Sequence, residues 1–314
     1  MLLQDGYATP SVIDGAMRAA GFRMGPCELM DLIGHDVNFA VTESMFVASF
    51  FDKRYVPSVV QRDLVDGGFL GKKSGRGFYD YRDVQPAHGA GSVASTAHKS
   101  EPGCVSAIGD STTICSLSSA LSLAGWQVEH ASADPGEAAN GAHLPVTDYF
   151  VVSDTLVCVS DGRPASQLAA ELGRQHLAVI DLILNQTPGS VCVAFSPACG
   201  EQQRTLVHNM LQAAGRMPVE MGDAPGLVVA RTVAMIVNEA AEAVLQEACD
   251  EVSANTAMKL GTNYPGGPFD WLGLLGPTTI CMMLDHLHSL YRGERYRASL
   301  LLRMRTWAHV AEVN

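Results

Sequence analysis

Several groups of side chains in this 314-residue chain have types and spacings that invite chemistry. Lys72, Lys73 and Arg76 put three cations within five residues, and the glycines between and around them would let the backbone bend about an anion. The plainer role is a solvated turn closing the segment. Arg292, Arg295, Arg297, Arg303 and Arg305 make a second cationic group, suited to an anion or to ion pairs between domains or subunits. Met24, Gly25 and Pro26 form a loop that could line an apolar pocket, although Gly-Pro also serves to stop one helix and start the next. Met45, Phe46, Phe50 and Phe51 read as core or dimer surface rather than as a ligand box.

Among ten histidines, His35 and His208 are the two in predicted ordered elements that invite comment. Neither has an acidic residue at a spacing that implies a catalytic pair, so both are read as structural. The eight cysteines are scattered and never form C-x-x-C, which predicts free, mostly buried thiols and no metal site. No H-E-x-x-H, P-loop or G-x-S-x-G motif supports a hydrolase or kinase.

The elements that would position these groups can be read from periodicity. Thr9-Pro10 is a helix start, with Val12, Ile13, Ala16 and Met17 as an apolar stripe and Gly21 as a left-handed stop. Pro26 opens a second helix, with Glu28 and Asp31 in its early turns and Leu29, Leu32 and Ile33 on the predicted inner face. Helical patterning continues to about Val65. Residues 82–103 are rich in Ala, Gly, Ser, Pro and His and read as a linker. Beyond them, short Val-rich runs at 104–109, 126–130, 149–154, 156–161, 177–184, 190–195 and 217–222 read as strands. They alternate with helical patterns at 111–124, 164–173 and 201–214, which predicts a small parallel sheet. From Pro225 onward Val229, Val233, Ile236, Ala240 and Val244 restore a helical period.

Composition narrows the partners. A net charge of -12 opposes binding to nucleic acid or to an anionic membrane. Charged residues make up 17%, against the roughly 25% usual for globular chains, which favours an oligomer, a homodimer by preference. No apolar run reaches the roughly 20 residues of a membrane span, and MLLQDGYATP has neither basic region nor apolar core, so a cytoplasmic location is expected.

The two helical ends repeat one another. Residues 1–34 lie over 243–276: Leu3-Gln4-Asp5 matches Leu245-Gln246-Glu247, Ala16-Met17 matches Ala257-Met258, Gly25-Pro26 matches Gly267-Pro268, and Gly34 matches Gly276. Arg54-Tyr55 then faces Arg295-Tyr296. The register holds over about fifty residues with a short indel, which reads as a duplication. The second copy is preceded by a helical pattern at 226–248 whose counterpart would lie ahead of residue 1, so the sequence is expected to continue upstream in the parent protein.

GFRMGPCELMDLIGHD (21–36) with GKKSGRGFYDY (71–81) resembles the C-terminal helical domain of the 3-hydroxyacyl-CoA dehydrogenases, and 225–240 with 256–271 resembles a second copy. The duplicated form is similar to the larger 3-hydroxybutyryl-CoA and phenylacetate-pathway members. The resemblance implies an α+β multi-domain fold: two all-α helical domains of the 6-phosphogluconate-dehydrogenase C-terminal type flanking a degenerate Rossmann-like α/β domain. The implied bounds are 1–81 for a truncated first helical domain, 82–103 for the linker, 104–222 for the α/β domain and 223–314 for the second helical domain.

In that family NAD takes a hydride from C3 of the hydroxyacyl group, a His held by a Glu removes the hydroxyl proton, and an Asn near the start of the helical domain fixes the substrate. Here G-x-G-x-x-G is replaced by Gly109-Asp110-Ser111-Thr112-Thr113-Ile114, so that Asp110 and the side chains at 111 and 114 would obstruct the phosphates. Ala230 stands where the Asn would, and 185–195 contain no His. The expectation is therefore no catalytic residue and no cofactor site in this chain, with NAD bound by an N-terminal domain of the full-length enzyme. What remains is dimerisation surface and one wall of an acyl-CoA cleft, with Met24, Gly25 and Pro26 toward the acyl chain and Lys72 and Lys73 toward the CoA phosphates. The alternative is a non-catalytic acyl-CoA-binding or assembly module.

Overall fold

The computed structural model describes residues 1–82, 103–131 and 146–313, so the linker expected over 82–103 lies, apart from its two end residues, outside the described residues. The chain opens with a helical turn at residues 1–5, closed by Asp5 N–H donating to Met1 O at 2.7 Å. Helix α1 (Pro10–Ala19) follows, its Thr9 hydroxyl accepting from Val12 N–H. Helices α2 (Pro26–Ile33), α3 (His35–Ala48) and α4 (Val59–Asp66) complete the first group.

The expected inner face of α2 is corrected. Leu29, Leu32 and Ile33 are 42%, 52% and 44% exposed, and the buried residues of α2 are Cys27 and Asp31. Residues 71–81 fold back beside α2 as a strap whose backbone needs an acceptor, so a carboxylate is turned inward and the apolar side chains turn out.

All seven expected runs become strands: β1 (Cys104–Ile108), β2 (Gln127–His130), β3 (Tyr149–Val152), β4 (Thr155–Val159), β5 (Leu177–Ile180), β6 (Gly189–Phe195) and β7 (Arg216–Glu220). They form one sheet in the order β2-β1-β3-β4-β5-β6-β7. The expected parallel sheet is corrected to a mixed one, in which β1/β2, β4/β5 and β6/β7 are parallel and β1/β3, β3/β4 and β5/β6 antiparallel. Connection length decides this. A parallel neighbour needs a crossover of a dozen or so residues, and the three parallel pairs carry α5 (Thr112–Leu123), α6 (Ala165–Glu171) and α7 (Glu201–Ala213) as theirs. β3 and β4 are joined only by Ser153-Asp154, with Ser153 at φ 54°, and residues 181–188 between β5 and β6 hold no helix.

The second helical group comprises α8 (Val229–Leu245), α9 (Glu251–Thr256), a π-helical turn (Ala257–Gly261), α10 (Pro268–Leu275), α11 (Pro277–Tyr291) and α12 (Leu300–Val313). Its order repeats that of the first group, down to 3-10 turns at Lys53–Tyr55 and Glu294–Tyr296. One device is common to both copies. Asp14 on α1 accepts from Cys27 N–H (2.8 Å) and Glu28 N–H (2.9 Å), and Asn255 on α9 accepts from Phe269 N–H (2.8 Å), each satisfying a free donor at the start of the next helix. A Cβ on Gly25 would stand 2.2 Å from Asp14, and one on Gly267 2.2 Å from Asn255. Gly-Pro is thus kept in both copies because the capping side chain needs the space. Met17 and Met258 are 241 apart whereas Gly25 and Gly267 are 242 apart, and the intervening π-helical turn takes up the extra residue.

The copies meet across a reciprocal seam. Tyr55 O–H donates to Glu239 on α8 at 3.4 Å and Arg54 approaches Glu242, while Arg295 donates to Val56 O at 3.0 Å and Tyr296 O–H to Met1 Sδ at 3.1 Å. Phe22 also packs against Tyr264 and Trp271, at centroid distances of 4.9 and 5.7 Å. One continuous apolar core runs from Ile13 and Met17 through Ile180 and Val193 to Val233 and Leu302, so that helices of both copies and the sheet are packed together.

Candidate functional site

Three places bear on function: the strand-end edge of the sheet, the strap beside α2, and the outer face of α2 and α3. In open α/β sheets ligands bind outside the carboxyl ends of parallel strands, where the strand order reverses. β1, β2, β4 and β5 all run the same way, so Gly109, Ser160 and Asp181 lie along one such edge. Between β1 and β4 the place of a crevice is filled by antiparallel β3. The N-terminus of α5 points to the same edge, and there Asp148 accepts from Ser111 N–H at 3.2 Å while the Ser111 hydroxyl accepts from Ile114 N–H. A Cβ on Gly109 would meet Asp148 Oδ1 at 2.3 Å.

A second carboxylate closes the rest of the edge. Asp181, 1% exposed, accepts from Val228, Val229 and Ala230 N–H at 2.7–2.9 Å at the start of α8, and from Leu182 N–H at 2.9 Å. Burial pushes its carboxyl pKa up, against those four donors. His286 of α11 donates from Nδ1 to Asp161 O at 2.8 Å over the β4 end, beside Gly162. The α6 N-terminus after β4 is likewise capped, by Asp223 accepting from Ala165 and Ser166 N–H at 2.6 and 2.9 Å, so the N-termini of α5, α6 and α8 at this edge are all taken by carboxylates of the chain itself, and the dinucleotide of the resembled family does not fit. Sequence reading assigned the obstruction to Asp110 and the side chains at 111 and 114. The structure assigns it to Asp148 and to Asp181, the latter a lone acid in the run LAVIDLIL that periodicity passed over.

The strap carries Lys72 and Lys73, the two residues expected to face phosphates. Lys73 is paired with Asp36, and the Lys72 ammonium lies 5.6 Å from the centroid of the Tyr81 ring. Gly71 and Gly77 do not open an anion cradle: a Cβ on either would strike Asp31, at 2.2 Å from its backbone O and 2.1 Å from Oδ1 respectively. Gly25 is filled by Asp14, as described, and Met24 and Pro26 are half-buried beside it. These five residues border one helical pair, but the strap cations and the Met24–Pro26 loop do not converge on a shared cavity among the described residues.

What the strap does build is a buried polar cluster that sequence reading missed. Asp31, fully buried, accepts from Phe78 N–H (2.9 Å), Tyr79 N–H (3.0 Å) and Tyr81 O–H (3.0 Å), and pairs with His35 Nε2 at 2.7 Å. Tyr79 O–H donates to Asp14 at 2.7 Å. Sequence reading found no acid at a spacing that implies a catalytic pair for His35 and took it as structural; Asp31, four residues before it across the Gly34 break between α2 and α3, does pair with it. His35 is inaccessible, with Phe78 edge-on at 4.8 Å, so the pair holds the strap and meets no substrate. Burial, with Asp14 beside it, pushes the Cys27 thiol well above its ordinary range. His208 likewise has an acid nearby, Glu220 at 3.1 Å, and burial lowers its pKa.

All eight cysteines are free and five are buried, with Cys104 and Cys115 exposed and Cys249 half-buried. No group of three or more potential metal ligands gathers among the described residues, and no described helix is long and apolar enough to cross a membrane. The outer face of α2 and α3 is apolar: Val37, Val41, Met45 and Val47 are 49–60% exposed, and the loop beyond carries Phe50 and Phe51 outward.

Comparison with known proteins covers nearly the whole chain. The family described as 3-hydroxyacyl-CoA dehydrogenase, C-terminal domain, matches twice, over residues 1–81 and 226–312. That described as 3-hydroxybutyryl-CoA dehydrogenase reduced Rossmann-fold domain matches 157–225. The chain is 37% identical over 304 residues to a 3-hydroxyadipyl-CoA dehydrogenase of Escherichia coli K12, covering 96% of this chain and 55% of that protein. It is 41% identical over 80 residues to a probable 3-hydroxybutyryl-CoA dehydrogenase of Bacillus subtilis, a quarter of this chain. The crystal structure of a 3-hydroxybutyryl-CoA dehydrogenase from Escherichia coli K12 superposes with a TM-score of 0.77 at 35% identity, over 99% of this chain and 57% of that one. The chain thus spans about half the length of these two Escherichia coli proteins.

Proposed function

The chain belongs to the 3-hydroxyacyl-CoA dehydrogenase family, and from that premise we propose that it is the part of an NAD-dependent enzyme of fatty-acid or aromatic-acid breakdown that supplies subunit surface and one wall of the acyl-CoA cleft. Hydride transfer belongs to an NAD-binding domain that this chain does not contain. Three units would share the work: the helical segment 1–81, the α/β segment 104–222 kept for packing, and the helical segment 223–314. Acyl-CoA would lie against the first helical unit, with Met24, Gly25 and Pro26 on its acyl side and Lys72 and Lys73 near its phosphates. A homodimer in the cytoplasm is the assembly that the low charge content favours.

The observation that carries this reading is the closed strand-end edge, where Asp148 and Asp181 hold the helix N-termini that a pyrophosphate would need. Purified chain given acetoacetyl-CoA and NADH is expected to leave the nicotinamide absorbance unchanged, and tryptophan fluorescence is expected to show no transfer to NADH. Turnover at a rate proportional to protein concentration would refute the assignment. Calorimetry with CoA tests the cleft wall: heat that weakens on Lys72→Ala supports it, and no heat removes the phosphate role of that residue.

A further inference from the structure

The α/β unit carries a second opening, on the edge of the sheet opposite Gly109 and Asp181. There the first residue of β1, the last of β3, the residue ahead of β2 and the middle of α7 border a cavity of about 720 Å³. That volume lies within the roughly 300–1,000 Å³ of small-molecule sites. Val151, Val152 and Leu206 give it an apolar wall, and no charged side chain lines it. An ion entering it would lose water and meet no opposite charge, so phosphate-bearing ligands such as CoA and dinucleotides do not suit it.

The polar groups that do line it are unused. Trp126 is 6% exposed, and its indole N–H makes no hydrogen bond among the described residues. The benzo half of the ring rests on Gly103, where a Cβ would come within 2.8 Å of Cζ3, so the N–H side of the ring is turned away from that backbone. The side chains of Asn209, Ser106 and Ser153 likewise have no hydrogen-bond partner among the described residues. An indole N–H can only donate, and a largely buried donor without an acceptor is costly, so a molecule that brings an acceptor gains at this spot.

We infer that this cavity binds an uncharged aromatic molecule carrying a hydrogen-bond acceptor. Its ring lies against Trp126, where an aromatic body gains beyond the area it buries. Its acceptor takes the Trp126 N–H, and Asn209, which can both donate and accept, reads the rest of its polar edge.

Cys104 supplies the readout, since its exposed thiol lines the cavity while the exposed Cys115 of α5 does not. The test uses the whole chain and 2-quinolone, a neutral fused ring with one carbonyl and one N–H. Iodoacetamide labelling of both thiols is followed by mass spectrometry of their peptides. The quinolone is expected to slow labelling of Cys104 at least about fivefold, half-maximally at about 1 mM, and to leave Cys115 unchanged. Trp126→Phe keeps an aromatic ring and removes the N–H, and Asn209→Ala removes the amide. Each should raise the half-maximal concentration about fivefold, with far-ultraviolet circular dichroism checking that both variants are folded. Quinoline-2-carboxylate, which adds a negative charge, should protect at least about tenfold less well. No protection of Cys104 at about 5 mM 2-quinolone overturns the proposal. So does equal protection by the carboxylate, or an affinity that both variants leave unchanged. The readout needs no turnover, so its failure is distinguishable from failure of the functional assignment.

Discussion

At the scale of single residues, the buried acids carry most of the information. Asp31 uses both carboxylate oxygens, taking four donors, one from His35 and three from a strap nearly fifty residues away. Asp31→Asn would set an amide N–H against one of those donors, so we expect a loss of about 3 kcal/mol, read as a lower midpoint in urea, with proteolytic cleavage within 71–81. Sequence inspection placed Asp31 near a helix dipole because its partners are set by chain return, which local spacing does not contain. Asp14 was overlooked inside an otherwise apolar stripe for the same reason. In both cases the visible signal was an acid among residues that periodicity turns inward.

At the scale of elements, helix starts and strands were legible because their causes are local: a hydroxyl before proline, a period of 3.6 or 2, a glycine at a stop. Strand direction was not, since it depends on whether a connection is long enough to carry a crossover helix. The repeated α1–α2 junction gives a sharp contrast among glycines. Gly267→Ala forces Asn255 off Phe269 N–H and should cost about 1–2 kcal/mol. Gly273→Ala, inside α10 with nothing within 4 Å of the new methyl, should gain about 0.5–1 kcal/mol. Thermal melts of the two variants are expected to move in opposite directions.

At the scale of the whole molecule, the seam between the two copies gathers charge in a half-buried place. Burial raises the pKa of Glu239, with Glu242 adding to the shift and Arg54 opposing it. A carboxyl whose folded pKa lies above its unfolded one favours the fold below the ordinary carboxylate range and loses that contribution as pH rises through the folded value. Glu239→Gln, which can still accept from Tyr55, should therefore raise the melting temperature at neutral pH and leave it nearly unchanged near pH 4. A drop at neutral pH would mean that the Arg54 attraction outweighs burial. The sequence by itself determined the family, the duplication, the places of the helices and strands, and the loss of the glycine-rich loop, because each is written in residue types at fixed spacing. Only the tertiary structure decided that the sheet is mixed, that Asp148 and Asp181 close its edge, that the strap glycines hold Asp31 and not an anion, and that α2 and α3 turn their apolar residues outward. Those facts depend on which distant groups meet, and a buried polar group is satisfied by whatever donor the fold brings to it.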